Sequence, residues 1–263
     1  MIVDIHVHTR SPGFRYNAAE VEALKAYARR AGVERVVHLY DIAVTRDIEL
    51  PDEGPPPEEV RASNDLVMAM VERHPDFITG FCFLNAANDP SFLLDEIERT
   101  VVNGNLSGIK LEAWVRATDP RLDPIMVRAA ELNVPVLHHA FYSHQPFRNE
   151  SNAAEIAHLA RRHPSVTIIM AHLGGAGWRG VMDIKETPNV LVDTSGGPPC
   201  AQLIEYAVEQ LGAERVIFGS DWPLRDISVA KARVMGANIS AEAKDAIMGG
   251  NAARVLGLGG STR

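Results

Sequence analysis

The stretch Val3-Asp4-Ile5-His6-Val7-His8-Thr9 is a short apolar run near the start of the chain that contains two histidines. Its valine and isoleucine residues predict a buried strand. Side chains alternate across a strand with a period of two, so His6 and His8 point to the same side. Because nothing about packing demands two imidazoles there, we predict that this strand presents both to one divalent metal ion.

Seven further apolar runs follow this strand, and each is separated from the next by a longer segment of helical pattern. The predicted strands lie near residues 2–6, 34–40, 77–84, 107–112, 134–139, 165–171, 189–193 and 214–219. The predicted helices lie near residues 18–31, 58–74, 90–104, 122–133, 150–163, 174–186, 200–211 and 225–236.

Eight strand–helix units in 263 residues predict an α/β fold of the (β/α)8 TIM-barrel type, for which about 250 residues is typical. An open doubly wound sheet is the alternative, but no Gly-x-Gly-x-x-Gly follows an early strand. No low-complexity linker divides the chain, so residues 1–263 are predicted to form a single domain. Residues 241–257 are predicted to add one or two C-terminal helices outside the barrel.

Composition favours a soluble enzyme over a binder of polyanions. Hydrophobic residues make up 46% of the chain and the formal net charge is −8, which repels nucleic acids and anionic membranes. The two cysteines, Cys82 and Cys200, do not have the spacing of a metal site. No apolar stretch approaches the length of a membrane span. We therefore expect a cytoplasmic protein with a small-molecule substrate and no nucleic-acid or membrane partner.

Potentially reactive side chains collect where the predicted strands end. In a TIM barrel these ends form the catalytic face. The set comprises His6, His8, Lys110, Glu112, His138, His139, His172, Asp193 and Asp221. Alternation lets only one of the two adjacent histidines face the interior, and we choose His139 over His138. His6, His8 and His139 are the predicted metal ligands, and Asp221 is either a fourth ligand or the base for a metal-bound water.

Eight segments between residues 4 and 256 occur in an order that is typical of one family. They are Asp-Ile-His-Val-His, Glu-Arg-His-Pro-Asp-Phe-Ile-Thr-Gly-Phe, Ser-Gly-Ile-Lys-Leu, Val-Pro-Val-Leu-His-His, Met-Ala-His-Leu-Gly-Gly, Val-Asp-Thr-Ser-Gly, Val-Ile-Phe-Gly-Ser-Asp-Trp-Pro and Gly-Asn-Ala-Ala-Arg-Val-Leu. With these segments the chain resembles the amidohydrolase-related family of metal-dependent hydrolases, in the branch that contains aminocarboxymuconate semialdehyde decarboxylase.

This resemblance implies a distorted barrel with one divalent metal ion, taken to be Zn with Mn, Fe or Co as alternatives. It implies that the ion is ligated by His6, His8, His139 and Asp221, and that His172 lies beside the water on the metal. Lys110 stands where binuclear relatives carry a carboxylated lysine that bridges two metals. Lys110 can equally pair with Glu112 or bind a substrate anion. Glu112 replaces the histidine that many relatives have before a proline, so this wall of the pocket departs from the common pattern.

The main prediction for the reaction is hydrolysis of a small carbonyl, amide or lactone substrate that carries a carboxylate. A metal-activated water would attack, and Asp221 or His172 would carry the proton to the leaving group. The alternative is metal-dependent, non-oxidative decarboxylation of an unsaturated or aromatic carboxylic acid. The same residues serve both reactions, so the ligand set does not separate them.

Four other classes share parts of the pattern. Phosphoesterases of the polymerase-and-histidinol-phosphatase type need more metal ligands, and TatD-like nucleases fit poorly with an acidic chain. A metal-independent lactonase would keep the histidines without binding metal tightly. A non-catalytic barrel would need no converging set of histidines. The oligomeric state is open, and a homodimer is the form considered.

Arginine and aromatic residues in the loops favour a small aromatic or unsaturated carboxylate as substrate. The predicted substrate contacts are Glu112, Trp114, Arg148, Trp178 and Trp222. Further loop residues that could face the pocket mouth are Arg15, Tyr16, Arg46, Arg116, Tyr142, His144, Arg179 and Arg225. The long 41–57 connection is either a lid over the catalytic face or a solvated loop.

Overall fold

The computed structural model describes residues 1–41, 54–142 and 149–258 of the chain. Eight parallel strands pair in the order β1 to β8, each with its neighbour in sequence. The strands are β1 Val3–Thr9, β2 Arg35–Asp41, β3 Ile78–Leu84, β4 Leu106–Leu111, β5 Val136–His138, β6 Ile168–Met170, β7 Val190–Asp193 and β8 Val216–Ile217. The helices are α1 Ala18–Ala31, α2 Pro57–Arg73, α3 Pro90–Ile97, α4 Asp123–Leu132, α5 Ala153–Arg162, α6 Leu173–Asp183, α7 Leu203–Leu211, α8 Ile227–Met235, α9 Ala241–Asp245 and α10 Asn251–Leu256.

Backbone hydrogen bonds join the segment around β8 to β1 and close the ring of strands. Ile5 N donates to Phe218 O at 2.9 Å, and Asp221 N donates to His6 O at 2.8 Å. His8 N donates to Trp222 O at 2.7 Å. The fold is therefore the TIM barrel that the sequence predicts, and each predicted strand overlaps an observed one.

The barrel core consists of one inward face from every strand. A buried cluster inside the ring contains apolar side chains such as Ile5, Leu39, Phe83, Leu137 and Ile169. The outward faces of the strands pack against the helices in a second, larger cluster. This second cluster includes Val7, because the register of β1 shifts between Asp4 and Val7. His6 and His8 flank Val7 on the strand and therefore face the interior.

Local capping explains where α5 begins. Asn152 accepts a hydrogen bond from Glu155 N and Glu155 reaches back to Asn152 N, which forms a capping box. The helix consequently begins at Ala153, three residues later than the predicted start at residue 150. Glu150 is thereby left outside the helix.

The C-terminal helices α9 and α10 lie outside the ring, as predicted, and are joined by a π-helical turn at Ala246–Gly250. Phe218 N donates to Ile247 O at 2.9 Å, so this turn contacts the end of β8. Among the helices that the structure describes, none combines the length and the apolar character that crossing a bilayer requires.

Candidate metal centre

A cavity of about 210 Å³ lies at the C-terminal ends of the strands. The residues that line it include His6, His8, Glu112, His139, His172 and Asp221, all of which the sequence analysis singles out. They come from β1 and from the segments that follow β4, β5, β6 and β8. The cavity therefore collects side chains that are far apart in sequence, at the face where TIM-barrel enzymes place their active sites.

Three donor atoms form a compact triangle in this cavity. The Nε2 atoms of His6 and His8 are 3.1 Å apart. Asp221 Oδ1 lies 3.6 Å from His6 Nε2 and 3.7 Å from His8 Nε2. Tetrahedral bonds of about 2.1 Å place ligand atoms roughly 3.4 Å apart, so the triangle has the size that a first-row divalent ion needs.

The hydrogen bonds behind the two imidazoles fix which nitrogens face one another. His8 Nδ1 lies 3.1 Å from Tyr40 O, and a carbonyl only accepts, so this nitrogen carries the proton. His6 Nδ1 lies 2.7 Å from Asp193 Oδ2 and donates to that carboxylate. Two unprotonated Nε2 atoms are then left facing each other without a proton between them. A cation between them resolves this arrangement, so the residues present fit a divalent metal.

The carboxylate behind His6 is itself held by several donors. Burial raises the pKa of Asp193, but the adjacent His6 and the hydrogen bonds around the carboxylate outweigh it and hold that pKa well below its usual range. Asp193 Oδ1 accepts from His172 N at 3.0 Å and from Ser195 N at 2.9 Å. Asp193 thus stays ionised and fixes His6. The cluster of His6, His172 and Asp193 could also be read as a metal site, but these hydrogen bonds account for it.

His139, the other predicted histidine ligand, lines the same cavity with different partners. Its Nε2 lies 2.8 Å from Glu150 Oε1, and its Nδ1 lies 3.3 Å from Glu112 Oε2. Burial lowers the pKa of His139, but Glu112 and Glu150 outweigh it and raise that pKa overall. His139 Nδ1 is also 3.2 Å from His172 Nε2. The structure thus brings His139 to the cavity but not into the His6–His8–Asp221 triangle.

Lys110 is fully buried and forms an ion pair with Glu112, with Nζ 2.7 Å from Oε1. The Tyr40 hydroxyl donates to the same oxygen at 3.2 Å. Burial alone would raise the pKa of Glu112, but the nearby Lys110 and His139 hold it well below its usual range. Glu112 is therefore an ionised acceptor on the cavity wall, and Lys110 neutralises part of its charge.

His172 and Asp221 both lie in unusual backbone conformations. Their φ angles are 72° and 68°, in the left-handed region that few non-glycine residues adopt. His172 Nδ1 lies 2.8 Å from Ser195 Oγ, and burial lowers the pKa of this histidine well below its ordinary value. Burial raises the pKa of Asp221 to about 6. Strained backbone at both positions is typical of functional residues.

The predicted aromatic contacts lie elsewhere. Trp114 is buried against Phe83, Trp178 packs on Tyr206, and Trp222 packs on Tyr27. None of the three tryptophans lines the cavity as the structure describes it. Their roles stay predictions. Some of the predicted residues lie outside the part of the chain that the structure describes, namely Arg148, Arg46, His144 and most of the 41–57 segment.

Seven further residues line the cavity that the sequence analysis did not commit to the site: Tyr40, Phe141, Glu150, Gly196, Gly197, Leu224 and Arg225. Arg225 appears only among the loop residues that could face the pocket mouth. Tyr40 reads as a strand residue and Glu150 as the start of a helix. Tyr40 lies at the end of β2 and Phe141 soon after β5, and that position is the only sequence signal for these two residues.

Comparison with known proteins finds a matching family model and two curated relatives. The family model described as Amidohydrolase matches residues 3–258. Gamma-resorcylate decarboxylase of Rhodococcus jostii (strain RHA1) is 26% identical, over 68% of this chain and 70% of that protein. Gamma-resorcylate decarboxylase of Rhizobium sp. (strain MTP-10005) is 24% identical, over 81% of this chain and 80% of that protein.

A solved structure shares the fold at low identity. A dihydroxybenzoic acid decarboxylase from Polaromonas sp. JS666, with bound manganese and the inhibitor 2-nitroresorcinol, superposes with a TM-score of 0.76. The identity is 19%, and the match covers 98% of this chain and 97% of that chain. At this identity the comparison establishes a common barrel.

Proposed function

Because this chain belongs to the Amidohydrolase family, we propose that it is a metal-dependent decarboxylase of a small hydroxylated aromatic acid. Family membership agrees with the resemblance found in the motifs. Both curated relatives described above are decarboxylases, which supports the alternative reaction over the hydrolysis that the sequence analysis favours. The observation that carries the proposal is the His6–His8–Asp221 triangle within a cavity that fits one substituted ring.

The size of the cavity supports a single-ring substrate. Its volume is about 210 Å³, and an apolar protein cavity of about 150 Å³ accepts benzene. The ring of Phe141 lies on the cavity wall, with its centroid 5.9 Å from that of His172. Phe141 supplies an apolar surface for an aromatic ring, and the histidines and carboxylates supply polar contacts.

His6, His8 and Asp221 are the residues that would hold the metal, with His139 as a fourth ligand if its side chain turns. A divalent ion held there would act as a Lewis acid towards the oxygens of a hydroxybenzoate. Glu112 is an ionised acceptor on the wall after β4, so it can bind a hydroxyl group of the substrate. These contacts would fix the plane of the ring.

The reaction breaks the bond between the ring carbon and the carboxyl carbon. The electron pair of that bond stays on the ring carbon, carbon dioxide leaves, and one proton takes its place. Asp221 and His172 both line the cavity, and we assign the proton transfer to them.

The test is an assay of the metal-loaded protein with gamma-resorcylate. We expect release of carbon dioxide and formation of resorcinol in equal amounts, measured by chromatography. A panel of lactones and amides under the same conditions serves as the comparison. Hydrolysis of a panel member with no carbon dioxide from any hydroxybenzoate would contradict the proposal and restore the hydrolase prediction.

A further inference from the structure

Arg225 is the one lysine or arginine among the described residues that line the cavity. It lies eight residues after the end of β8, and its backbone N donates to Asp221 O at 3.0 Å. The turn that carries Asp221 therefore also fixes the backbone of Arg225. The arginine side chain is exposed at the mouth, so solvent and ligands reach it.

The guanidinium of Arg225 has few partners of its own. Its Nη1 donates to the neighbouring Leu224 O at 2.9 Å. Within the described part of the chain, no carboxylate oxygen comes within ion-pair distance of this guanidinium. A guanidinium has five N–H donors in a planar fork, so most of them are available to a ligand.

The opposite side of the cavity carries two carboxylates. Glu112 follows β4, which is four strands away from β8 in the ring of eight. Glu112 and Glu150 both contact His139 there, and both line the cavity. One wall therefore presents two carboxylates that accept hydrogen bonds. The segment after β8 presents the Arg225 guanidinium, which can bind an anion, beside the Asp221 carboxylate that faces His6 and His8.

We propose that Arg225 binds a second carboxylate of the substrate, one that the reaction retains, so that the preferred substrate is a hydroxybenzene dicarboxylate. This inference rests on the proposed decarboxylation. A salt bridge to the carboxylate that leaves would stabilise the ground state, because the charge of that group moves into the ring as the bond breaks. A retained carboxylate keeps its charge throughout, so Arg225 binds it equally well in the ground state and the transition state.

Decarboxylation of such a dicarboxylate consumes one proton and releases one carbon dioxide. The bond from the ring to the carboxyl group beside the hydroxyl breaks, its electron pair stays on the ring, and that carbon takes a proton. Carbon dioxide leaves, and the product is a hydroxybenzoate that still carries the carboxylate held by Arg225. Arg225 is thus a specificity-determining residue, not a proton donor.

A matched pair of substrates isolates the second carboxylate. 4-Hydroxybenzene-1,3-dicarboxylate and 2-hydroxybenzoate both carry a carboxylate next to a hydroxyl, and only the first has another carboxylate. The metal-loaded wild type should have a kcat/KM roughly 10- to 100-fold higher for the dicarboxylate, the range expected for a charge-assisted bidentate contact. Arg225→Met should bring the two values within about threefold, and Arg225→Lys should lie between. Arg29→Met, which removes an exposed arginine from the last turn of α1, should leave the ratio unchanged.

Binding of inert ligands gives a readout that does not require turnover. Benzene-1,3-dicarboxylate and benzoate lack the hydroxyl, and their dissociation constants are measured by calorimetry on the metal-loaded wild type and Arg225→Met. The wild type should prefer the dicarboxylate, and Arg225→Met should lose that preference.

The outcomes separate this inference from the proposed decarboxylation. If hydroxybenzoates release carbon dioxide but Arg225→Met keeps the wild-type preference, the role of Arg225 is wrong and the decarboxylation stands. If Arg225→Met weakens both ligands equally, Arg225 binds the carboxylate that leaves, which also overturns the inference. If no compound releases carbon dioxide but the dicarboxylate still binds through Arg225, the subsite stands and the decarboxylation fails.

Discussion

The imidazoles of β1 can act as metal donors because other residues fix their orientation. His6 donates to Asp193 and His8 donates to the carbonyl of Tyr40, so each presents its unprotonated Nε2 to the cavity. The pair of histidines is visible in the sequence, but the residues that orient it are not. Asp193 lies 187 positions after His6 in the chain and meets it only because β7 is close to β1 through the closed ring.

Asp193→Asn should weaken metal binding. An amide at this position no longer holds His6 as a charged acceptor, and loss of such an orienting partner typically costs 10- to 100-fold in metal affinity, so we expect a loss of about that size. Affinity is measured by competition with a chromophoric chelator. Asp119→Asn, which changes a carboxylate paired with Arg121 away from the cavity, is the matched control. Equal affinities for Asp193→Asn and wild type would contradict the assignment of His6 as an oriented ligand.

Asp221→Asn should remove most turnover. Asp221 completes the triangle with His6 and His8, and it is also one of the two groups placed to transfer a proton. We expect a fall in kcat of at least about 100-fold, within the usual range for a general acid or base. Turnover is measured after metal loading, with metal content determined on the same sample. A metal-loaded variant with full activity would show that Asp221 has neither role.

Much of the site can be predicted at the residue level because strand ends are easy to recognise. His6, His8, Glu112, His139, His172 and Asp221 all follow or end an apolar run, and the structure collects them at one cavity. Glu150, Phe141 and Arg225 lie in connections, where side-chain direction depends on tertiary contacts and has no periodic pattern. Their place at the cavity could not be derived from spacing alone.

At the level of elements, a buried carboxylate ties two helices to a strand. Glu96 on α3 is fully buried and accepts from Asn64 Nδ2 of α2 at 2.9 Å and from Arg99 Nη2 at 2.6 Å. Asn64 also bonds both the N and the O of Phe83 on β3, at 2.8 Å and 3.0 Å. This network fixes the register of α2 and α3 against the barrel.

Glu96→Gln should destabilise the fold by about 1.5–3 kcal/mol, since it removes hydrogen bonds to a charged group in a buried position. Glu98→Gln, which changes a partly exposed carboxylate paired with Arg128, should stay within about 0.5 kcal/mol of wild type. The free energy of unfolding is measured with urea. Equal effects from the two substitutions would contradict the structural role of the network.

The same network makes a prediction for pH. Burial raises the pKa of Glu96, but Arg99 and Asn64 outweigh it and lower that pKa below the ordinary value of 4.5. A carboxylate with a lowered folded-state pKa contributes its stability above the ordinary value and loses it as pH falls through the folded-state value. The stability difference between wild type and Glu96→Gln should therefore be constant near neutral pH and shrink below about pH 4.5. A stability difference between wild type and Glu96→Gln that grows as the pH falls would contradict this prediction.

The periodicity of the sequence predicts which strands and helices form, but it does not predict the residues at which they begin and end. Each of the eight predicted strands and helices overlaps an observed one. The ends differ where side chains decide the cap, as at α5, where the capping box of Asn152 and Glu155 moves the start to Ala153. At α3 the predicted helix near 90–104 divides into Pro90–Ile97 and a π-helical turn at Glu98–Val102, which a 3.6-residue pattern does not distinguish.

For the whole molecule, the metal would bridge the seam where the barrel closes. His6 and His8 come from β1, and Asp221 comes from the segment after β8. β8 is only Val216–Ile217, so the ladder on this side is short and a few further backbone bonds close the ring. A cation that binds residues from both sides of the seam should therefore stabilise the fold as well as the site.

Metal loading should raise the melting temperature by about 5–10 °C when the free metal is about 100 times its Kd. The estimate follows because a ligand at that concentration adds about 2.7 kcal/mol to the free energy of unfolding. Scanning calorimetry of chelator-treated and reloaded protein measures the shift, and mass spectrometry of the reloaded sample should find about one equivalent. The double variant His6→Gln/His8→Gln is the control and should show no shift on metal addition. A shift of equal size in that variant would place the ion elsewhere, and two equivalents in the wild type would instead indicate a second ion held with Lys110.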